Sequence, residues 1–511
     1  MFVRKKKQRS GTFSVQIIDK SSGKSRVIKT IGSSKDPDAV ELLMAEGRRW
    51  IAGYGGQMVM GLMPEEDRGL RKQLRRAVRK VQLLGPELVL GQLFDEVGFN
   101  QLKEDLFRHL VLSRLVYPGS KLRTVDYLAR YWGVVIGVDK VYRYLDKLHT
   151  SQMAKAQDIC FRHSEMVLGG QVGMMFYDVT TLYFEAERED DFRRVGYSKD
   201  GKHARPQILL GLLVGLHGYP LAYDLFEGNK FEGHTLIPVI EAFKKRYRPE
   251  KLVIIADSGL LSNKNVRALI KEGYEFILGA RIKNESDELR RRITSLQLED
   301  GESSLLTRPD GLKLVISYSE KRARKDAHNR TRGLEKLEKA YKAGKLTKAQ
   351  VNNRGYNKYL RLDGEVKVEI DRDRFEQDAK WDGLKGFLTN SGLSKEEVTG
   401  NYRHLWQIER AFRISKTDLR FRPIFHRLKR RIEAHICIAF CAYKIYKELE
   451  RQVKEEDLGL SAEKVIEILK TIYGLEVVWP KSQMKETMLM VADEDQARIL
   501  EAFGIDWKAD F

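Results

Sequence analysis

Two hydrophobic rhythms divide the chain. From Pro86 to about Val167, apolar residues return every three or four positions in LGQLFDEVGF, LFRHLVLSRLV, TVDYLARYW and VDKVYRYLDKL, punctuated by Pro118 and Gly119. This spacing predicts a compact bundle of short helices. At Gly173 the period changes. GMMFYDV is a short, nearly continuous apolar strand reaching Asp178, followed by TLYFEA and the polar, glycine-bearing loop GYSKDGKHARP. QILLGLLVGLHG and YPLAYDLFEG then form a hairpin apolar enough to be buried on both faces. His234 to Arg246 reads as a helix, KLVIIAD as a strand ending in Asp257, NKNVRALIKEG as a helix and EFILGAR as a further strand. Hairpin strands followed by strands alternating with helices describe a mixed α/β sheet. Its ligands belong at the carboxyl ends of strands, where Asp178 and Asp257 are placed.

The flanking segments are less regular. A basic run from Arg4 to Arg9 precedes two alternating segments, TFSVQII and SRVIKTI, which predict a hairpin with Gly23 at its turn. Pro64 to about Leu84 reads as a helix with acids near its start and bases towards its end, as the helix dipole prefers. Between Arg281 and Asp382 the pattern degrades into a strand pair, SSLLTRP and GLKLVISYS, and a charged helical hairpin with Gly344 at its turn. The run KRARKDAHNRTRGLEKLEKAYKAG is polar all round, hence solvated or laid along something acidic. EVKVEIDR leads back to KGFLTNSG, where the core resumes, so this region reads as an insertion. Two long helices follow from Ser394, the first carrying Glu409 and the second running from about Leu428 to Glu450. The tail holds the helix SAEKVIEILKTIYG, short strands and a last helix from Asp493 to Phe503. The expected divisions are 1–60, an N-terminal hairpin arm; 61–167, a helical region; 168–285 and 386–452, two parts of one mixed α/β domain; 286–385, the insertion; and 453–511, the C-terminal region.

Composition narrows the partner. The chain has 511 residues, 42% of them hydrophobic, enough for about two to four domains with real cores. Lys and Arg number 92 against 72 Asp and Glu, a formal charge of +20, so a polyanion is the natural partner. No apolar run is long enough for a bilayer span, and MFVRKKKQRSG lacks the apolar core of a signal peptide. The expectation is a cytoplasmic protein without a membrane partner. The three cysteines, Cys160, Cys437 and Cys441, cannot build a disulfide framework and fit a reducing compartment. Cys437 and Cys441 share a helix face, but IEAHICIAFCAYKIY reads as core and His435 completes no zinc set.

Three acids carry the candidate chemistry: Asp178, Asp257 and Glu409. Hard cations such as Mg²⁺ take oxygen ligands and keep water and substrate phosphate as the rest. Two of them, about 3.5 to 4 Å apart, activate the attacking oxygen and stabilise the leaving oxygen of an in-line phosphoryl displacement. In this arrangement Asp178 bridges the pair, and Asp257 and Glu409 each complete one side. A lone strand-end aspartate is more simply a cap, as Asp257 is before Ser258, so the three must be weighed together. Tyr402, Glu409 and Lys416 are successively seven residues apart, which puts them on one helical face within about 20° per step. Arg413 flanks that face, and Arg420 and Arg422 follow it, a concentration of cations suited to phosphates. An amphipathic core helix with Leu405, Trp406, Ile408, Phe412 and Ile414 facing inward explains the same register, and both readings can hold.

At YDVTT, IADSG and the Tyr402-x6-Glu409-x6-Lys416 pattern, the chain resembles the DDE transposases of bacterial and archaeal insertion sequences, in the branch with a Tyr-Arg-Glu-Lys signature. The resemblance extends through GSSKD, GYSKDGK, PQILLGLL, EGNKFEGHT and FRPIFHRLKRRIEAHI. It implies a ribonuclease-H-like mixed sheet with helices, interrupted by a strand-plus-helix insertion and preceded by a helical DNA-binding region. It implies that Asp178, Asp257 and Glu409 hold two Mg²⁺ ions, which Mn²⁺ can replace, and that Tyr402 and Lys416 grip phosphate near the cleaved bond. The implied activity is cleavage at the element's terminal inverted repeats and joining to target DNA, by a homodimer that synapses two ends. Leu405 stands where the signature has arginine, so a contact given by that arginine must come from Arg403 or Arg413. Two rivals remain: a DNA-binding descendant without catalysis, and a haloacid-dehalogenase-like phosphotransferase. The second needs an acid two residues after Asp178, where this chain has Thr180.

Overall fold

The computed structural model describes residues 1–511 except 9, 22, 55–64, 171, 186–187, 199–200, 202–203, 250–251, 348–349, 353–354, 364–366, 481 and 509–511. The loop expected at 196–206 and the start of the helix expected from residue 64 therefore lie partly outside the described residues. The chain forms two compact units, residues 1–79 with 476–486 and residues 80–475 with 487–511.

In the first unit, β1 (Phe2–Lys7), β2 (Phe13–Asp19) and β3 (Arg26–Ser34) make an antiparallel sheet in that order. The basic run is thus partly a strand, paired with β2 from Phe2↔Ile18 to Lys7↔Phe13. Register shifts at Val15/Gln16 and Ile17/Ile18 break strict alternation, so Val15, Ile17 and Ile18 are all buried. Helix Pro37–Gly53 covers them. Its start is set by Asp36, whose carboxylate accepts from the Asp38 and Ala39 amides, and by proline in the first turn. Helix Glu65–Ala77 follows, then β4 (Val78–Leu83).

The second unit opens with the helices that the three- and four-residue spacing predicts: Gly85–Val97, Asp105–Val116, Lys121–Tyr127, Val138–Lys147 and Met153–Val167. Four of them pack on Lys429–Glu455, a helix far away in sequence that also touches the main sheet. Every residue of that helix from Ala434 to Leu449 is buried, Lys444, Lys447 and Glu448 included. Cys437 and Cys441 lie in this core as free thiols, as does Cys160. Among the described residues no helix is long and apolar enough to cross a membrane.

The main sheet is built from β5 (Met174–Tyr183), β6 (Gln207–Val214), β7 (Pro220–Glu227), β8 (Val253–Ala256), β9 (Glu275–Ala280), β10 (Ser303–Thr307) and β11 (Lys313–Tyr318). After a separate hairpin of β12 (Leu360–Asp363) and β13 (Lys367–Ile370), β14 (Leu384–Thr389) completes it. The order is β10-β11-β14-β9-β8-β5-β6-β7. β5, β6 and β7 form an antiparallel meander, β8 and β9 run parallel to β5, and β14, β11 and β10 add antiparallel strands beyond them. The run β7-β6-β5-β8-β9, an antiparallel meander extended by two parallel strands, is the ribonuclease-H-like arrangement, and the fold is mixed α/β as the pattern predicts. β6 is buried at every position because both faces of the sheet are covered. The strand pair expected near residue 310 does not stand apart: β11 pairs with β14 from Lys313↔Thr389 to Tyr318↔Leu384. The charged hairpin expected at Gly344 is one helix, Glu320–Lys342, with a short 3-10 turn later at Gly355–Tyr359. The chain ends with helix Ala462–Leu469, β15 (Tyr473–Val478), β16 (Lys485–Met490) and helix Glu494–Ala502.

Candidate active site

β8 is short, and its end creates the site. The parallel register of β5 and β8 runs from Met174↔Val253 to Tyr177↔Ala256, so the next residue on each strand is an aspartate, Asp178 and Asp257. Asp257 follows the last residue of its strand, as expected. Asp178 does not end β5, which continues to Tyr183 with Asp178 opposite Leu212 of β6. Only its β8 edge is released, and both carboxylates are half-buried there. Asp178 Oδ1 accepts from the Val179 amide (2.7 Å) and Asp257 Oδ1 from the Gly259 amide (2.6 Å). The second contact is the turn-capping role that an isolated Asp-Ser also predicts.

Glu409 comes from the first turn of helix Trp406–Thr417, which packs on β5 and β6 through its apolar side and leaves the carboxylate exposed. The continuous helix expected through Tyr402, Glu409 and Lys416 is divided. Helix Lys395–Arg403 starts on a capping box of Ser394 and Glu397 and stops at His404. Amides of His404, Leu405, Gln407 and Ile408 bond to carbonyls three residues back, so a tightened turn joins the two helices. Tyr402 therefore belongs to a different helix from Glu409. It is only 5% exposed. Its ring centroid lies 4.6 Å from that of Phe387 and 4.4 Å from Lys385 Nζ. Burial holds its hydroxyl well above the ordinary tyrosine pKa, and the charges of Asp257, Glu409 and Asp178 push the same way against Arg322. One phenol thus feels all three carboxylates. Gly279 of β9 makes the approach possible: a Cβ there would lie 2.5 Å from Tyr402 Oη and 2.9 Å from the Ser258 amide nitrogen.

The remaining predicted cations spread away from this point. Arg413 is exposed one turn beyond Glu409, and Lys416 is half-buried near the end of the same helix, about 10 Å along its axis. Arg420 is exposed, and the guanidinium of Arg422 stands 5.4 Å from the Tyr183 ring, at the far end of β5. Two nearer cations escaped the sequence reading. Lys385 of β14 has its pKa lowered by burial and by Arg322, with Glu409 and Asp257 opposing. Arg322 comes from the charged helix Glu320–Lys342. Lys385 and Arg322 join Ser258, Gly279, Trp381 and Tyr402 among the residues lining a cleft of 670 Å³.

The donor set suits a hard divalent cation, since all three candidate ligands are carboxylates beside solvent. Among the described residues, however, no three His, Cys, Asp or Glu are gathered as a ready metal cage. The Val179 and Gly259 amides each engage only Oδ1 of Asp178 and Asp257.

A ribonuclease-H-like sheet with acids where β8 ends defines a class of protein: folds on which nucleic-acid phosphodiester chemistry is built. Residues 174–445 match the transposase DDE domain family, and as the match covers more than half of the chain, the protein belongs to that family. Its members generally use divalent metal ions. No curated protein sequence matches the chain. Among solved structures it is similar to the piggyBac transposase in a synaptic complex with hairpin DNA, seen by cryo-electron microscopy, at 11% identity and a TM-score of 0.39, over 76% of this chain and 79% of that one.

Proposed function

We propose that the protein cuts the ends of an insertion sequence and joins them to target DNA by metal-dependent hydrolysis and transesterification. Membership of the transposase family supports the class of reaction. The observation that carries the site is the parallel register of β5 and β8, which sets Asp178 and Asp257 side by side where β8 ends, with the Glu409 helix packed on β5 and β6. In this reading Asp178, Asp257 and Glu409 would hold two Mg²⁺ ions, replaceable by Mn²⁺. When bound, the ions would activate the attacking water or 3′-hydroxyl and stabilise the departing oxygen. Tyr402 and Lys385 line the scissile phosphate, the tyrosine by a neutral hydroxyl and the lysine by its charge. Lys416, Arg413, Arg420 and Arg422 hold the strand beyond it. Residues 61–167 supply recognition of the terminal inverted repeats, the insertion contacts flanking or target DNA, and a homodimer in the cytoplasm brings two ends together.

The test is Mg²⁺-dependent cleavage of DNA bearing the element's own ends. Asp178→Asn, Asp257→Asn and Glu409→Gln should each lose about 10²- to 10³-fold in cleavage, the scale of removing a main electrostatic contributor, while DNA affinity stays. Normal cleavage by any of them removes that residue from the site. DNA binding without cleavage by the wild-type chain, at any Mg²⁺ or Mn²⁺ concentration, supports the non-catalytic reading instead.

A further inference from the structure

At the far end of β5 from the carboxylates lies a second cationic site. Phe184 forms a bridge to Ile424, and beside it a pocket of 610 Å³ is lined by Arg188, Arg193, Arg205, Phe425, His426 and Arg427. Arg193 is buried and tied to Asp190 at 2.7 Å, and Arg205 is 3.7 Å from Glu185. Arg188 and Arg427 are exposed and make no ion pair among the described residues.

Positive charge continues inward behind His426. Its ring centroid is 5.4 Å from that of His435, whose Nδ1 is 3.4 Å from a guanidinium nitrogen of Arg114. Arg114 also donates to the Arg420 carbonyl at 3.4 Å. Lys121 is close enough to Arg114 and His426 for their charges to oppose one another. Arg114 and Lys121 are only 4% and 5% exposed. Neither has a carboxylate at ion-pair distance among the described residues. For Arg114 a buried charge without a counter-charge is costly, and burial with Arg114 holds the Lys121 ammonium well below its ordinary pKa. An anion held in the pocket in front of them would offset that cost, and four arginines at its walls supply the donors to hold one.

We propose that this pocket seats a phosphate group of bound DNA, on a strand path leading from the three carboxylates along β5. The identity of the anion rests on the DNA-cutting reading above. Phe184 is about 20 Å from Asp178 at 3.3 Å per residue, equivalent to about six phosphates of one strand at 3.4 Å rise each. Arg422, against Tyr183, occupies the intervening stretch. Phe425 is 65% exposed at the rim, an apolar face that a free ion would leave unused and on which a sugar or base can pack.

The full-length double variant Arg205→Gln/Arg427→Gln tests the site against wild type. Inorganic phosphate should raise the wild-type unfolding midpoint and leave the variant's unchanged. With a duplex long enough to reach both sites, the plot of log Kd against log salt should lose about two units of slope. Unchanged phosphate response and unchanged slope overturn the site. A lost phosphate response with an unchanged slope makes it a small-anion site and overturns the DNA assignment. Should the double variant unfold, Arg427→Gln alone, which removes an exposed side chain, must give the phosphate loss and about one unit of slope. Glu409→Gln run alongside separates the two readings: normal cleavage by it would sink the carboxylate assignment, while the phosphate and slope measurements would still decide the pocket.

Discussion

Replacing Gly279 by alanine should disturb the candidate site through one hydroxyl. The new Cβ would lie 2.5 Å from Tyr402 Oη, 2.9 Å from the Ser258 amide nitrogen and 3.3 Å from Ser258 Cβ, where ordinary contact begins at 3.4 Å. Roughly an ångström must be found on the tyrosine side and half that on the serine side. Gly279 is not among the glycines with positive φ, so the change brings contact strain without left-handed backbone strain. Tyr402 cannot simply slide away, since Phe387 and Lys385 hold its ring. Overpacking of this kind costs about 1 to 3 kcal/mol. Ser258 is bonded to Asp257, so the displacement also reaches a carboxylate, and a shift of about 1 Å in a catalytic group costs on the order of 10²-fold in rate. Chemical denaturation and single-turnover cleavage should be measured on Gly279→Ala, Tyr402→Phe and the double variant. Removing the hydroxyl relieves the 2.5 Å contact but not the one to Ser258. The double variant should therefore be more stable than the two single losses add up to, by about 0.5 to 3 kcal/mol, and should still cleave slowly. Strict additivity would refute the placement of the hydroxyl against Gly279.

Two further variants probe charge. Lys385→Met should leave the unfolding midpoint unchanged or raised, because burial already opposes the lysine's charge, while cleavage falls about 10- to 100-fold, the equivalent of one charged hydrogen bond to phosphate. Equal single-turnover rates at saturating DNA would exclude it from the site. Lys444, wholly buried in helix Lys429–Glu455, is held down to about 7 chiefly by burial. Between that value and the unfolded value of about 10.4, the unfolded chain binds more protons, so the wild type gains stability as pH rises across this window and loses it as pH falls. Lys444→Met should remove that dependence and be more stable at pH 6 by about 1 to 4 kcal/mol. Ser164, which accepts from Lys444 at 2.7 Å, still donates to the Pro220 carbonyl at 2.7 Å, so no buried donor is stranded. A wild-type-minus-variant stability difference that stays flat from pH 6 to 10 would count against this account.

What the sequence made legible was what local pattern controls. β6 announces itself because both its faces are buried and its run after Gln207 is wholly apolar. The helix Lys429–Glu455 is recognisable as core from its apolar run IEAHICIAFCAYKIY, but not the helices that surround it, because a helix buried on every side names no partner. Asp257 stands where expected because β8 ends in its own sequence. Asp178 was read as a strand end although β5 runs on, since what stops there is the neighbouring strand, and the length of β8 is not written in β5. The register of Tyr402 with Glu409 survived as a pattern across a break that no Pro or Gly marks. His404 and Leu405 keep helical dihedrals, and only the hydrogen bonds shorten to three residues.

Gly279, Arg322 and Lys385 had no such signal. Each reaches Tyr402 by long-range pairing: β14 joins β9 from Gly386↔Ala280 to Thr389↔Ile277, carrying Lys385 in, and helix Glu320–Lys342 follows β11, which lies on the other side of β14. The segment read as an insertion is thus continuous with the sheet at its near edge, and that continuity gives its charge a fixed position beside the carboxylates. Arg322 opposes the three acids at the Tyr402 hydroxyl and joins burial in lowering the Lys385 pKa. Arg322 and Lys385, both from the inserted region, line the cleft beside Tyr402. On the proposed reading the carboxylates would repel phosphate unless cations lay between them, so DNA entry would depend on these two side chains as well as on bound metal.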